Sequence, residues 1–121
     1  MGQKSQSTTE PLFDVKRARE RMNNDRELFK EVVELFLKDY VLRLREIDTA
    51  LRNNDANQLF HSAHTLKGSV ANFVAKSAYE KALKLEKIGQ STDLSQGREV
   101  FSALEIEVEK LATALRSEIE N

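Results

Sequence analysis

The sequence predicts an all-α protein, an antiparallel up-down four-helix bundle with a short additional N-terminal helix. Proline occurs once, at Pro11, and glycine only at positions 2, 68, 89 and 97, so little interrupts a helix over most of the chain. Leu, Ala, Glu, Lys and Arg dominate the composition, and all are strong helix formers. Apolar residues recur at steps of three and four rather than two, the helical period. At 121 residues the chain suits one domain that buries an adequate core without staples.

Residues 1–11 read as a polar linker or an expression-derived leader, because residues 2–10 hold no large apolar side chain. The bundle domain is then residues 12–121. Pro11-Leu12-Phe13 leads to Asp14, an N-cap for a short helix ending near Met22, and this apolar lead-in can cover one end of the core. Three of the four longer helices open on capping-box spacings: Asn24 with Glu27, Asp55 with Gln58, and Ser77 with Glu80. The first, about 25–53, carries Phe29, Val33, Phe36, Tyr40, Leu44, Ile47 and Leu51 on one stripe. The second spans about 56–74. The third, about 78–89, repeats Tyr79, Ala82, Leu83 and Glu86, which sets Glu86 at the edge of an apolar face. The last, about 94–118, has Phe101, Leu104, Val108, Leu111 and Leu115 inward. Connections near 54 and 90–93 are short, so successive helices run antiparallel.

Lys plus Arg (19) nearly balances Asp plus Glu (20), so no global field draws the chain to nucleic acid or an anionic membrane. Without cysteine it has no disulfide, thiolate chemistry or cysteine-ligated zinc. No apolar run approaches the roughly 18–20 residues of a membrane span, and the N-terminus lacks a signal-peptide core. A soluble monomer whose partner is another protein is the expectation.

The second long helix holds the chemistry. At about 100° per residue, Leu59, Ala63, Leu66, Val70 and Phe73 form its inward face, and His64 points about 140° away. Phe60, Lys67, Gly68 and Ala71 surround His64 on the outward side, with His61 nearby. A neutral imidazole is a nucleophile toward phosphorus, and Lys67 one turn on can bring an ammonium to phosphoryl oxygens. Gly68 costs the helix about 1 kcal/mol relative to alanine, which is explained if something must approach His64 closely. Glu86 on the adjacent antiparallel helix could accept from Nδ1–H and leave Nε2 nucleophilic, if the registers match.

Ala63-His64-Thr65-Leu66-Lys67-Gly68-Ser69-Val70-Ala71-Asn72 closely resembles the signature of histidine-containing phosphotransfer (HPt) domains of multistep two-component phosphorelays. Leu85-Glu86-Lys87-Ile88-Gly89 resembles that family's second marker, and the likeness runs over roughly residues 12–118. The resemblance implies that His64 is the phosphoacceptor, that Lys67 assists with phosphate charge, that Gly68 admits the partner, and that Glu86 orients the imidazole. It further implies a carrier that takes a phosphoryl group from one receiver-domain aspartate and gives it to another. Such a domain binds no cofactor of its own, and the receiver supplies Mg²⁺. The absence of a P-loop or glycine-rich nucleotide loop agrees with a domain that is not itself an ATP-dependent kinase. A cytoplasmic setting follows, as does an origin in the C-terminal part of a membrane-bound hybrid sensor histidine kinase. The chain departs from the family pattern at Phe73-Val74-Ala75, where a glycine is common near Val74. A β-branched residue disfavours the left-handed cap, so the turn is expected to shift toward Lys76 or adopt another geometry.

Two rival readings remain. A metal site on His61 and His64 has no obvious third ligand in sequence. A helical docking or scaffold module would leave His64 incidental, since surface histidines are often passive.

Overall fold

A computed structural model describes residues 12–120, and the expected leader 1–11 lies outside them. Among these described residues five helices follow one another: α1 Val15–Arg21, α2 Arg26–Arg52, α3 Ala56–Ala71, α4 Lys76–Gly89 and α5 Gly97–Glu120. Each long helix packs on its neighbour in sequence, and α5 closes the ring on α2. The direction is antiparallel throughout. Tyr40 of α2 donates to Glu109 of α5 while Asp48, further along α2, pairs with Arg98 at the start of α5.

The apolar stripes read from the sequence are the core. Phe29, Val33, Phe36, Tyr40, Leu44 and Ile47 of α2 are buried, as are Phe101, Leu104, Val108, Leu111 and Leu115 of α5. Leu51 is only half-buried at the end of its stripe. Every inward residue expected on α3 (Leu59, Ala63, Leu66, Val70, Phe73) has no exposed surface. Full burial of such side chains contributes about 1.5–3 kcal/mol each, and it fixes the rotation of α3 and hence the outward direction of His64. On α4 the buried face is Ala78, Ala82, Leu85 and Gly89, with Tyr79 exposed. The expected stripe through Tyr79, Ala82 and Leu83 is thus displaced by a fraction of a turn, while Glu86 does lie at the boundary.

Two caps differ from expectation. Asp25, not Asn24, caps α2, accepting from Leu28 N–H at 3.0 Å, because Asn23 and Asn24 both take left-handed backbone (φ 59° and 53°) in the preceding turn. Asparagine tolerates that conformation, and aspartate adds a negative charge at the helix's positive end. Ser77 lies inside α4, which begins at Lys76 without a side-chain cap. Its hydroxyl instead donates across the bundle to Glu107, which Lys81 also meets at 2.9 Å. Asp14 and Asp55 cap α1 and α3 as expected. The last connection runs to residue 96 because Ser91 and Asp93 hold a side-chain-bonded turn there, with Leu94 tucked into the core.

The end of α3 also corrects the expectation. The turn does not move toward Lys76: Val74 itself takes left-handed backbone at φ 52°. That conformation costs roughly 1–2 kcal/mol for a residue with a Cβ. Phe73, fully buried with its ring edge-on to Phe36 at 5.3 Å, outweighs that cost. Helix α1 then seals the same end, with Asp14 N–H directed at Phe73 O and an Arg21 guanidinium donating to Ala71 O at 3.2 Å.

Candidate functional site

Helices α3 and α4 run side by side in opposite directions, so residues of α3 rise as their partners on α4 fall. Phe60 meets Gly89, His64 meets Glu86, and Lys67 reaches both Glu86 and Tyr79. The register needed to bring Glu86 to His64 is therefore present.

The His64 side chain is 60 % exposed, whereas Glu86 is only 12 % exposed. Glu86 Oε2 lies 3.3 Å from His64 Nδ1. An ionised carboxylate can only accept, so the neutral ring that makes this contact carries its proton on Nδ1. Nε2 then holds a lone pair, and the geometry of the ring directs it away from the carboxylate that engages Nδ1. The Phe60 ring lies almost parallel to the imidazole (6.1 Å between centroids, 18°) and restricts it from a second side.

Lys67 is placed differently from a free phosphate ligand. Its ammonium sits 2.8 Å from Glu86 Oε1 and 5.9 Å from the centre of the Tyr79 ring, and the side chain as a whole is only 17 % exposed. Each oxygen of Glu86 thus serves one neighbour on α3. The Lys67 ammonium, reinforced by His64, holds the Glu86 carboxyl below its ordinary range even though partial burial opposes this. Glu86 in turn raises the Lys67 pKa. At neutral pH this is an ionised pair beside an imidazole whose Nε2 has no hydrogen-bond partner among the described residues.

The remaining surface residues agree with their expected face. His61 is exposed and stands edge-on to Phe60 at 5.1 Å, while Phe60 and Ala71 are half-buried. Gly68 is exposed, and a Cβ built there meets nothing within 4 Å. The fold itself therefore does not require glycine at 68, and the helix would gain from alanine. Among the described residues no three His, Cys, Asp or Glu side chains are grouped to hold a metal ion. No helix among them is long and apolar enough to cross a membrane.

Three contributions to the site and its support were not read from the sequence. Arg21 caps the far end of α3 through a backbone carbonyl. Tyr79 covers Lys67. Ser62, fully buried, links Gln58 to Glu46 of α2 and so ties α3 to its other neighbour. Only Ser62 left a trace in the sequence, as a polar residue next to the inward-facing Ala63.

The fold and this face define a helical bundle that presents an exposed imidazole held at Nδ1 by a carboxylate of the neighbouring helix. The family model of the Hpt domain matches residues 31–117, from the second turn of α2 to near the end of α5. The chain belongs to the Hpt domain family, the histidine phosphotransfer modules of phosphorelay signalling, whose members interact with receiver domains. No curated protein matches its sequence significantly. Among solved structures, it is similar to histidine-containing phosphotransfer protein B (HptB) from Pseudomonas aeruginosa PAO1, with a TM-score of 0.81 and 23 % identity. That match covers 91 % of this chain and 96 % of the other, and it speaks for the shared fold.

Proposed function

We propose that the protein is a phosphorelay intermediate in which His64 takes a phosphoryl group from an aspartate of one receiver domain and passes it to an aspartate of another. The observation that carries this reading is the exposed imidazole whose Nδ1 is engaged by Glu86 at 3.3 Å, leaving Nε2 free. In the forward step the Nε2 lone pair attacks phosphorus, the N–P bond forms, and the P–O bond to the aspartyl carboxylate breaks. The imidazole becomes cationic with its proton still on Nδ1, where the Glu86 carboxylate offsets the new charge. Transfer onward reverses these bonds on a second aspartate, with no ATP or water consumed.

Such transfer depends mainly on alignment and on stabilising phosphoryl charge. Glu86, with Phe60 stacked beside the ring, aligns the imidazole, and Lys67 lies one turn away to answer charge that arrives on Nε2. Mg²⁺ belongs to the receiver in this reading, since Glu86 is the carboxylate engaged with His64 and Lys67 already neutralises it. Phe60, His61, Lys67, Gly68 and Ala71 form the receiving surface, and open space over Gly68 lets a partner's backbone approach the imidazole. Each bundle holds a complete set, so the unit acts as a monomer. Its partner class places it in the cytoplasm, alone or as part of a hybrid sensor kinase.

Incubation with a phosphorylated cognate receiver should yield acid-labile phosphate on His64. His64→Gln should abolish the label with helical content unchanged. A folded protein that takes no label from any cognate receiver would leave a docking module instead.

A further inference from the structure

Among the described residues, Gly89 is the one glycine whose missing side chain the fold itself exploits against another backbone. A Cβ there would stand 2.6 Å from Phe60 N, 2.8 Å from Phe60 Cα and 2.9 Å from Ala56 O. All three are main-chain atoms of α3, which cannot rotate out of the way as a side chain can. Gly68, on the same pair of helices, meets nothing within 4 Å. The two glycines therefore answer different demands, one inside the protein and one outside it.

We propose that Gly89 is a positioning residue for His64: it sets the α3–α4 separation at which Glu86 reaches Nδ1 and Phe60 stacks on the ring. This rests on the phosphocarrier reading above for its consequence in transfer, but its structural content does not. Glu86 precedes Gly89 by three residues, about 4.5 Å along the helix axis, so a displacement at Gly89 is carried almost undiminished to Glu86. Relieving the contact needs at least 0.4 Å, from 2.6 to the 3.0 Å below which real Cβ contacts essentially do not occur, and 0.8 Å to reach ordinary contact at 3.4 Å. The His64–Glu86 contact is already 3.3 Å. A hydrogen bond is gone by about 3.6 Å, so even the smaller displacement is enough to break it. Phe60 is struck directly, and its ring is the imidazole's other restraint. Lys67 holds Glu86 Oε1 at 2.8 Å, which limits how far the carboxylate can follow His64 instead.

The test is the imidazole tautomer, read from long-range ¹H–¹⁵N couplings in ¹⁵N-labelled protein at a pH where the ring is neutral. The unsubstituted protein should show His64 predominantly protonated on Nδ1. Gly89→Ala should lose that bias and transfer phosphoryl roughly tenfold more slowly, with helical content retained. Gly68→Ala is the control: its tautomer should match the unsubstituted protein, because its methyl points into open space. A folded Gly89→Ala protein with an unchanged tautomer overturns the proposal, whatever its transfer rate. If Gly89→Ala unfolds, the spectrum is taken with trimethylamine N-oxide added, which favours the compact state. Failure to fold there also overturns the proposal, since Gly89 would then serve the fold and not the site. Loss of Nδ1 bias in a protein that takes no phosphate would sustain the positioning claim and refute the carrier function separately.

Discussion

Gly68→Ala should make the protein more stable and less active. In a helix interior alanine is favoured over glycine by about 1 kcal/mol, and a Cβ at 68 meets nothing within 4 Å that could offset the gain. For a domain of this size the gain corresponds to a melting temperature higher by about 4 °C. Phosphoryl transfer should move the other way. Gly68 follows His64 by four residues, on the face the receiver must approach, so the new methyl occupies space in the complex. Overpacking a close contact costs typically 1–3 kcal/mol, which is roughly a five- to 150-fold loss in transfer rate. Thermal unfolding by circular dichroism and transfer from a ³²P-labelled receiver measure the two effects on one preparation. An unchanged transfer rate in the stabilised variant would refute the steric reasoning, and lower stability would refute the open-space geometry.

Other perturbations separate the roles of the neighbours. The Glu86 pKa is lowered, chiefly by Lys67, so its contribution to stability is present above its unfolded value near 4.5 and is lost as pH falls through the lower folded value. The Lys67 pKa is raised, so its contribution is present below 10.5 and is lost as pH rises through the higher folded value. Glu86→Gln should therefore be less stable than wild type between about pH 5 and 10 by a margin that shrinks in acid, and a margin that persists unchanged in acid would contradict the ion pair. Glu86→Ala should slow transfer more than it destabilises the bundle, and a large loss of stability with normal transfer would make Glu86 structural. Val74→Gly removes a left-handed penalty of about 1–2 kcal/mol and adds about 0.5–1 kcal/mol of chain entropy, so denaturant titration should show a small net gain. A loss above about 1 kcal/mol would mean that Val74 packing outweighs its backbone strain.

What the sequence showed and what it hid follow one physical division. The stripes of α2, α3 and α5 were legible because burial imposes helical periodicity on apolar residues, and the outward direction of His64 came with them. Asp14 and Asp55 were legible because capping is local. Ser77 was misassigned because its hydroxyl is claimed by Glu107, a residue thirty positions away that no local rule reaches. Val74 was misjudged because the burial of Phe73 against Phe36 overrides a backbone preference. Lys67 was placed on the right helical surface, but periodicity could not tell that Glu86 would take its ammonium. Gly89 was visible only as part of a motif, because its close approach to Phe60 depends on the distance between two helices.

Phosphate mapping tests the central claim most directly. After incubation with a phosphorylated cognate receiver, the protein should carry phosphate on a nitrogen of His64, labile in acid and stable in base. It should surrender that phosphate to a second, unphosphorylated receiver. Phosphate persisting in His64→Gln, or a folded wild-type protein that remains unlabelled with every cognate receiver, would contradict it.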